Sequence, residues 1–206
     1  MFVDVQKDFI DGALKNEQAI AVTPKIVEFA KQCIADPICK LYATRDTHDK
    51  TDTLPESADG TIPEKHVGYL TTLEGQKLPV EHCIEGTSGW MIDDRLMNVF
   101  FAGFAKDEAG VEDKEHPVYN CTFINKPTFG SYDLVDIIAE DFETAPDEIV
   151  LCGYDLGVCV ISNAVLLRAK YPNVKITIKK DLCGCINKET FNAALCVAKC
   201  CQINIE

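Results

Sequence analysis

Long apolar runs are missing from this 206-residue chain. None approaches the roughly 18 residues a membrane-spanning helix requires, so no span is expected. Basic charge is scarce: Lys and Arg number 20 against 33 Asp and Glu, a formal net charge of -13. Nucleic-acid phosphates are held by clustered cations, so a nucleic-acid partner is excluded, and an anionic membrane surface is disfavoured for the same reason. The acidity reads as solubility. The opening MFVDVQKDFI has neither the basic nor the apolar region of a secretory signal, so a cytoplasmic protein with reduced thiols is expected. Paired CxxC units are also missing. The 11 cysteines are odd in number, and neither the CxC of Cys183 and Cys185 nor the neighbouring Cys200 and Cys201 predicts a disulfide framework or a zinc module. Most should be buried as small hydrophobes. Finally, the first strand is followed by Gln6, Lys7 and Asp8 instead of a glycine-rich turn, which argues against a nucleotide-binding domain.

What is present is ordinary for a globular chain, with 47% hydrophobic and 26% charged residues. The length suits one domain, residues 1–206, with a substantial core. Short apolar runs alternate with helical spacing. Strands are predicted at 2–5, 38–44, 118–125, 148–153, 174–179 and 202–205, and helices at 19–34, 91–101, 131–140, 159–170 and 189–199. Continuous apolar strands in a βαβ rhythm predict an α/β, doubly wound parallel sheet with helices on both faces. Residues 45–90 read as one long irregular connection, and connections of that length are usually functional.

Ligands of an open parallel sheet bind at the carboxyl ends of its strands. Those ends carry Asp4, then Asp46 and His48, then Lys126, and after a short turn Cys159 at a helix start. A thiol is nucleophilic as thiolate, and a helix N-terminus or a nearby cation such as Lys126 lowers its pKa. Buried structural cysteine is the competing reading. Asp4 lies in the apolar run Phe2, Val3, Val5, where an idle carboxylate is costly. It can take the thiol proton and return it to a leaving amine, or simply cap a turn. Lys126 can hold both in register, or be a solvated surface lysine. Asp46 and His48 form a D-x-H whose side chains share one side of an extended segment. With His82, and Glu74 as a weaker fourth candidate, they make an N/O set for zinc, iron or manganese. Plain hydrogen bonding is the alternative, and His66 and His116 look like loop histidines.

These residues sit in segments that resemble a known family. DVQKDFIDGAL around Asp4, NKPTFGSYDL after Lys126 and CGYDLGVCVISNAVLL around Cys159 resemble the triad segments of isochorismatase-like cysteine hydrolases. TRDTH and KLPVEHCIEGTSGW resemble the metal and pocket motifs of the nicotinamidase branch, through Asp46, His48 and His82. The resemblance implies a six-stranded parallel sheet, a homo-oligomer and a small-molecule amide substrate. It implies that Cys159 attacks the amide carbon and Asp4 shuttles the proton. Backbone N–H groups near Asp155 and Cys159 would form the oxyanion hole, helped by a cis peptide between Tyr154 and Asp155. The metal, zinc first, would hold the pyridine nitrogen, with Phe9 near the ring. Nicotinamide hydrolysis to nicotinate and ammonia, as in NAD salvage, is the expected reaction. A metal-independent amidase on a carbamoyl or ureido compound is the alternative, and a catalytically impaired binding protein a third reading. Isochorismate cleavage suits the metal ligands less well. The chain departs from the family where relatives carry Thr-Asp and it has Leu156-Gly157. It also has an apparent insertion at Thr51–Gly68 and only three residues before Asp4.

Overall fold

Parallel strands covered on both faces need apolar residues at consecutive positions, and runs such as IVLC and ITI supply them. The computed structural model describes residues 1–48, 81–106, 110 and 112–206. In chain order these form β1 (Phe2–Val3), α1 (Lys7–Ile10), α2 (Glu17–Ala35), β2 (Tyr42–Asp46), α3 (Asp94–Phe100), β3 (Phe101–Lys106), β4 (Glu112–Tyr119), β5 (Thr122–Lys126), α4 (Tyr132–Asp141) and β6 (Glu148–Gly153). A π-helical turn (Leu156–Val160) then runs into α5 (Ile161–Lys170), followed by β7 (Lys175–Cys183), α6 (Lys188–Cys200) and β8 (Asn204–Ile205).

Six strands form one sheet in the order β5-β2-β1-β6-β7-β8. Every neighbouring pair in it is parallel. The chain winds outward from β1 in one direction and from β6 in the other, so the switch point, where sheets of this kind take their ligands, lies between β1 and β6. α2 packs on α3, while α4, α5 and α6 form a second row. The inward stripe of α2 is Ala19, Thr23, Ile26 and Ala30, all buried at helical spacing. Its N-terminus is capped by Asn16, whose side chain accepts from the N–H groups of Gln18 and Ala19. Phe2 anchors the core between Phe100 and Phe29, at ring separations of 5.3 and 6.1 Å.

Several expected boundaries shift. β1 stops at Val3 because Asp4 takes a left-handed backbone conformation (φ 50°) and leaves the sheet. β2 begins at Tyr42 and reaches Asp46, while Ile38, expected to open it, is highly exposed. The expected strand 118–125 is split. Val118 and Tyr119 close an antiparallel hairpin, β3–β4, and only Thr122–Lys126 joins the main sheet. The hairpin is mostly exposed, so its residues carry no core-facing pattern to read. The Thr51–Gly68 stretch, His66 and Glu74 lie outside the described residues.

β1 and β6 approach closely at Gly153. A Cβ there would fall 2.1 Å from the Val3 carbonyl oxygen, and φ is +124°. Glycine alone fits that position. The close approach sets the turn after β6 beside the turn after β1.

Candidate active site

Asp4 enters the site from the end of β1. Its backbone N–H donates to the Thr44 carbonyl at 3.1 Å, and its Oδ1 accepts from the Thr44 hydroxyl at 2.7 Å. Lys126 comes from the end of β5, in register with Asp46 on β2. Its Nζ lies 2.7 Å from Asp4 Oδ2, donates to Cys159 Sγ at 3.4 Å and to the Thr128 carbonyl at 3.2 Å, and stands 3.6 Å from Asp46 Oδ1. Asp4 and Lys126 are 0% exposed and Cys159 is 6% exposed. Three chain segments far apart in sequence therefore deliver a carboxylate, an ammonium and a thiol to one point.

Cys159 sits in the π-helical turn that leads into α5. Asn163, also buried, holds that turn: its Nδ2 donates to the Cys159 carbonyl at 2.8 Å and its Oδ1 accepts from the Ser131 N–H at 3.0 Å. Burial pushes the Cys159 thiol up; the Lys126 ammonium opposes the rise and the Asp4 carboxylate adds to it. The lowered thiol pKa anticipated from Lys126 and a helix N-terminus is thus outweighed by burial. Asp4 is also raised, by burial first, with Lys126 pulling it down. For Lys126, burial works against the charge, but Asp4, Cys159 and Asp46 outweigh it and its pKa rises. Burial thus favours the neutral thiol, and Asp4 and Lys126 lie beside it at ion-pair distance.

The peptide joining Tyr154 and Asp155 is cis. The Tyr154 hydroxyl is buried against α2, 2.6 Å from Thr23 Oγ1 and donating to the Ala19 carbonyl at 3.1 Å. The Asp155 carboxylate is buried as well. It accepts from the Gly157 N–H at 2.5 Å, from Cys185 Sγ at 3.2 Å and from the Ile186 N–H. These side-chain bonds brace the turn that leads to Cys159. Leu156 is buried, and its N–H donates to the Gly184 carbonyl at 2.9 Å, so the departure at Leu156-Gly157 is built into the packing.

Asp46 bridges to a second cluster. Its Oδ1 faces Lys126, while Oδ2 lies 3.1 Å from His48 Nε2 and 3.3 Å from His82 Nε2. The imidazole rings stand 5.0 Å apart, and Phe9 packs edge-on to His82 at 5.8 Å. Burial pushes the Asp46 carboxyl up, but Lys126 and the two histidines outweigh it and hold it below the usual carboxylate range. The three residues are buried, and their ligand atoms all lie within 4.8 Å of one another. Ligands about 2.0–2.2 Å from a common centre sit roughly 3–4 Å apart, so two imidazole nitrogens and a carboxylate oxygen fit a divalent cation here. His116, by contrast, is exposed on β4 beside Asp113.

Sequence reasoning passed over Gln6, Asp8, Thr44 and Asn163. Gln6 and Asp8 stand out only as polar residues in an apolar segment. Both are buried, and each bonds to the backbone of a distant loop or strand.

A doubly wound sheet with a buried carboxylate, ammonium and thiol at its switch point defines an α/β domain of the isochorismatase type. The sequence matches the Isochorismatase domain over residues 1–203, and the chain belongs to that family of hydrolases. Solved structures agree on the fold. The nicotinamidase/pyrazinamidase PncA of Bacillus subtilis superposes with a TM-score of 0.68 at 22% identity, covering 99% of this chain and 96% of that one. The yeast nicotinamidase Pnc1p, bound to the inhibitor nicotinaldehyde, gives 0.69 at 18%, covering 99% and 96%. The pyrazinamidase of Pyrococcus horikoshii, in complex with zinc, gives 0.67 at 17%, covering 100% and 96%. No curated protein matches the sequence significantly. Among the described residues, no helix is long and apolar enough to cross a membrane.

Proposed function

We propose that this protein is a cysteine amidohydrolase that converts nicotinamide to nicotinate and ammonia. The observation that carries the reading is the position of Lys126 Nζ, 2.7 Å from Asp4 and 3.4 Å from Cys159. A thiol whose neutral form burial favours needs a base at the moment of attack, and we assign that role to Asp4, whose own pKa burial raises. Cys159 sulfur attacks the amide carbon as its proton passes to Asp4. The resulting oxyanion faces the backbone N–H groups of Asp155 and Cys159. Collapse breaks the carbon–nitrogen bond, and Asp4 gives its proton to the departing nitrogen, which leaves as ammonia. Water, losing a proton to Asp4, then attacks the thioester; the carbon–sulfur bond breaks and the proton returns to sulfur. Lys126 stays charged throughout and keeps Asp4 and the sulfur in register.

Asp46, His48 and His82 would hold the metal, with zinc the first choice and iron or manganese also suited to the donor set. Bound there, the cation would supply a Lewis-acid contact for the pyridine nitrogen of the substrate. Phe9, edge-on to His82, would pack on the substrate ring. Glu74 remains part of the proposed ligand set from the sequence. The reading extends to a cytoplasmic homo-oligomer working in NAD salvage.

Ammonia release from nicotinamide, followed with and without a chelator, tests the proposal. Turnover that falls on chelation and returns with zinc is expected. No ammonia from fully zinc-loaded protein rejects it. Full-rate hydrolysis of a carbamoyl or ureido compound by metal-free protein would favour the metal-independent alternative.

A further inference from the structure

β1 ends two residues too early to support the strand beside it. β2 pairs with β1 only through Ala43 and Thr44, yet it runs on to Asp46. In a parallel ladder, alternate residues of a strand turn their N–H and C=O toward the same neighbour. Thr44 turns its carbonyl toward the β1 side, where it accepts from the Asp4 N–H. Asp46, two residues on, meets no strand residue there. The fully buried side-chain amide of Gln6 takes that place. Its Oε1 accepts from the Asp46 N–H at 2.7 Å, and its Nε2 donates to the Asp46 carbonyl at 2.8 Å. The second Nε2 hydrogen goes to the Trp90 carbonyl at 2.9 Å. One primary amide thus stands in for a missing rung of the sheet.

Gln6 is followed by a similar device. Asp8 accepts from the Cys83 N–H at 2.7 Å through Oδ2 and from the Ala13 N–H at 3.0 Å through Oδ1. Cys83 is buried in a left-handed conformation (φ 49°) directly after His82. A Cβ on Gly89 would fall 2.1 Å from Asp8 Oδ2, so the loop closes tightly around that carboxylate. Asp4, Gln6 and Asp8 therefore reach, in order, the thiol–ammonium pair, the backbone of Asp46 and the backbone next to His82.

We infer that Gln6 is a positioning residue for the Asp46–His48–His82 site, fixing the Asp46 carboxylate by completing the edge of β2. This rests on the metal-binding reading above. Only an amide offers the needed acceptor and both donors at once. Glutamate would set a carboxylate oxygen against the Asp46 and Trp90 carbonyls. Methionine would fill the space and leave all three groups unanswered.

The test measures zinc affinity by competition with a chromophoric chelator, alkylation of Cys159 by iodoacetamide followed by mass spectrometry, and thermal melting. It compares the wild-type protein with Gln6→Met and Gln6→Glu. Zinc affinity is expected to fall roughly 10–100-fold in both variants, the range typical of groups that orient metal ligands. The Cys159 alkylation rate should stay within about threefold of wild type, a split that general loosening of the fold would not produce. A folded Gln6→Met protein that keeps wild-type zinc affinity overturns the inference. So does a parallel loss of zinc affinity and Cys159 reactivity. If neither variant folds, Gln6 is a fold determinant and the positioning role is wrong. If the wild-type protein itself takes up no zinc, the metal-site reading fails first, and that outcome is separate from a variant that binds as well as wild type.

Discussion

Two charged clusters meet at the carboxyl edge of the sheet, and they are built on different principles. Around Cys159, opposite charges cancel inside the protein: the Asp4 carboxylate and the Lys126 ammonium lie 2.7 Å apart, both fully buried. Around His82, one carboxylate oxygen of Asp46 gathers two imidazole nitrogens at 3.1 and 3.3 Å. The first cluster carries its own counter-charge and, in the proposed mechanism, moves a proton. The second has the donor atoms of a cation site. Asp46 belongs to both, with one oxygen toward Lys126 and the other toward the histidines. The proposed chemistry and the proposed substrate anchor are therefore one residue apart, yet they should fail in separate ways.

The largest effect expected is on turnover. Cys159→Ala should abolish ammonia release, a loss on the order of 10⁴-fold or more, because the remaining groups cannot form the thioester. Stability should fall by only about 1 kcal/mol, the cost of deleting one small buried atom. Retained turnover would remove Cys159 from the mechanism and dissolve the distinction between the clusters.

Next comes stability. Lys126→Met strands Asp4 as a buried, unpaired carboxylate and should destabilise the fold by about 3–5 kcal/mol. The double variant Asp4→Asn/Lys126→Met removes both charges and should recover much of that loss in a denaturant titration. Equal destabilisation of the single and double variants would mean that Asp4 and Lys126 are not each other's counter-charge. The metal side should respond more gently. His82→Ala is expected to raise KM by roughly 10–100-fold while leaving Cys159 alkylation near the wild-type rate. An equal fall in alkylation would show that the clusters cannot be separated.

Much of this edge was legible in the sequence because a parallel sheet delivers its strand ends to one side, whatever the details of packing. Asp4, Asp46, Lys126 and Cys159 could be placed together from the βαβ rhythm alone. The bounds of β6 show in the sequence because EIVLCG is apolar and framed by polar turns. What could not be read depended on burial or on bonds to backbone. The direction of the Cys159 shift follows from how deeply the sulfur sits, and local spacing does not encode depth. Gln6 and Asn163 act on main-chain groups, and any residue type supplies a main chain, so their targets leave no signature. The apolar run at 2–5 extends two residues past β1, because Val5 is apolar and buried although Asp4 has already turned the chain out of the sheet.

The β3–β4 hairpin gives the smallest effect and marks the limit of that legibility. GFAKDEAGVEDKEH lacks an apolar alternation, and the structure explains why: most of β4 is exposed, so nothing selects hydrophobic residues on one face. Its aromatic contacts are mostly local, Phe101 meeting Phe104 at 5.1 Å and Tyr119 at 6.1 Å, and it touches the main sheet where Tyr119 packs against Phe123 of β5 at 5.4 Å. Val118, 45% exposed, lies on this arm outside the main sheet. Val118→Ser should therefore shift stability by less than about 0.5 kcal/mol and leave both zinc uptake and ammonia release unchanged. A substitution there that altered either cluster would mean that the arm reaches the site in the working protein, and the two-cluster account would then need a third contributor.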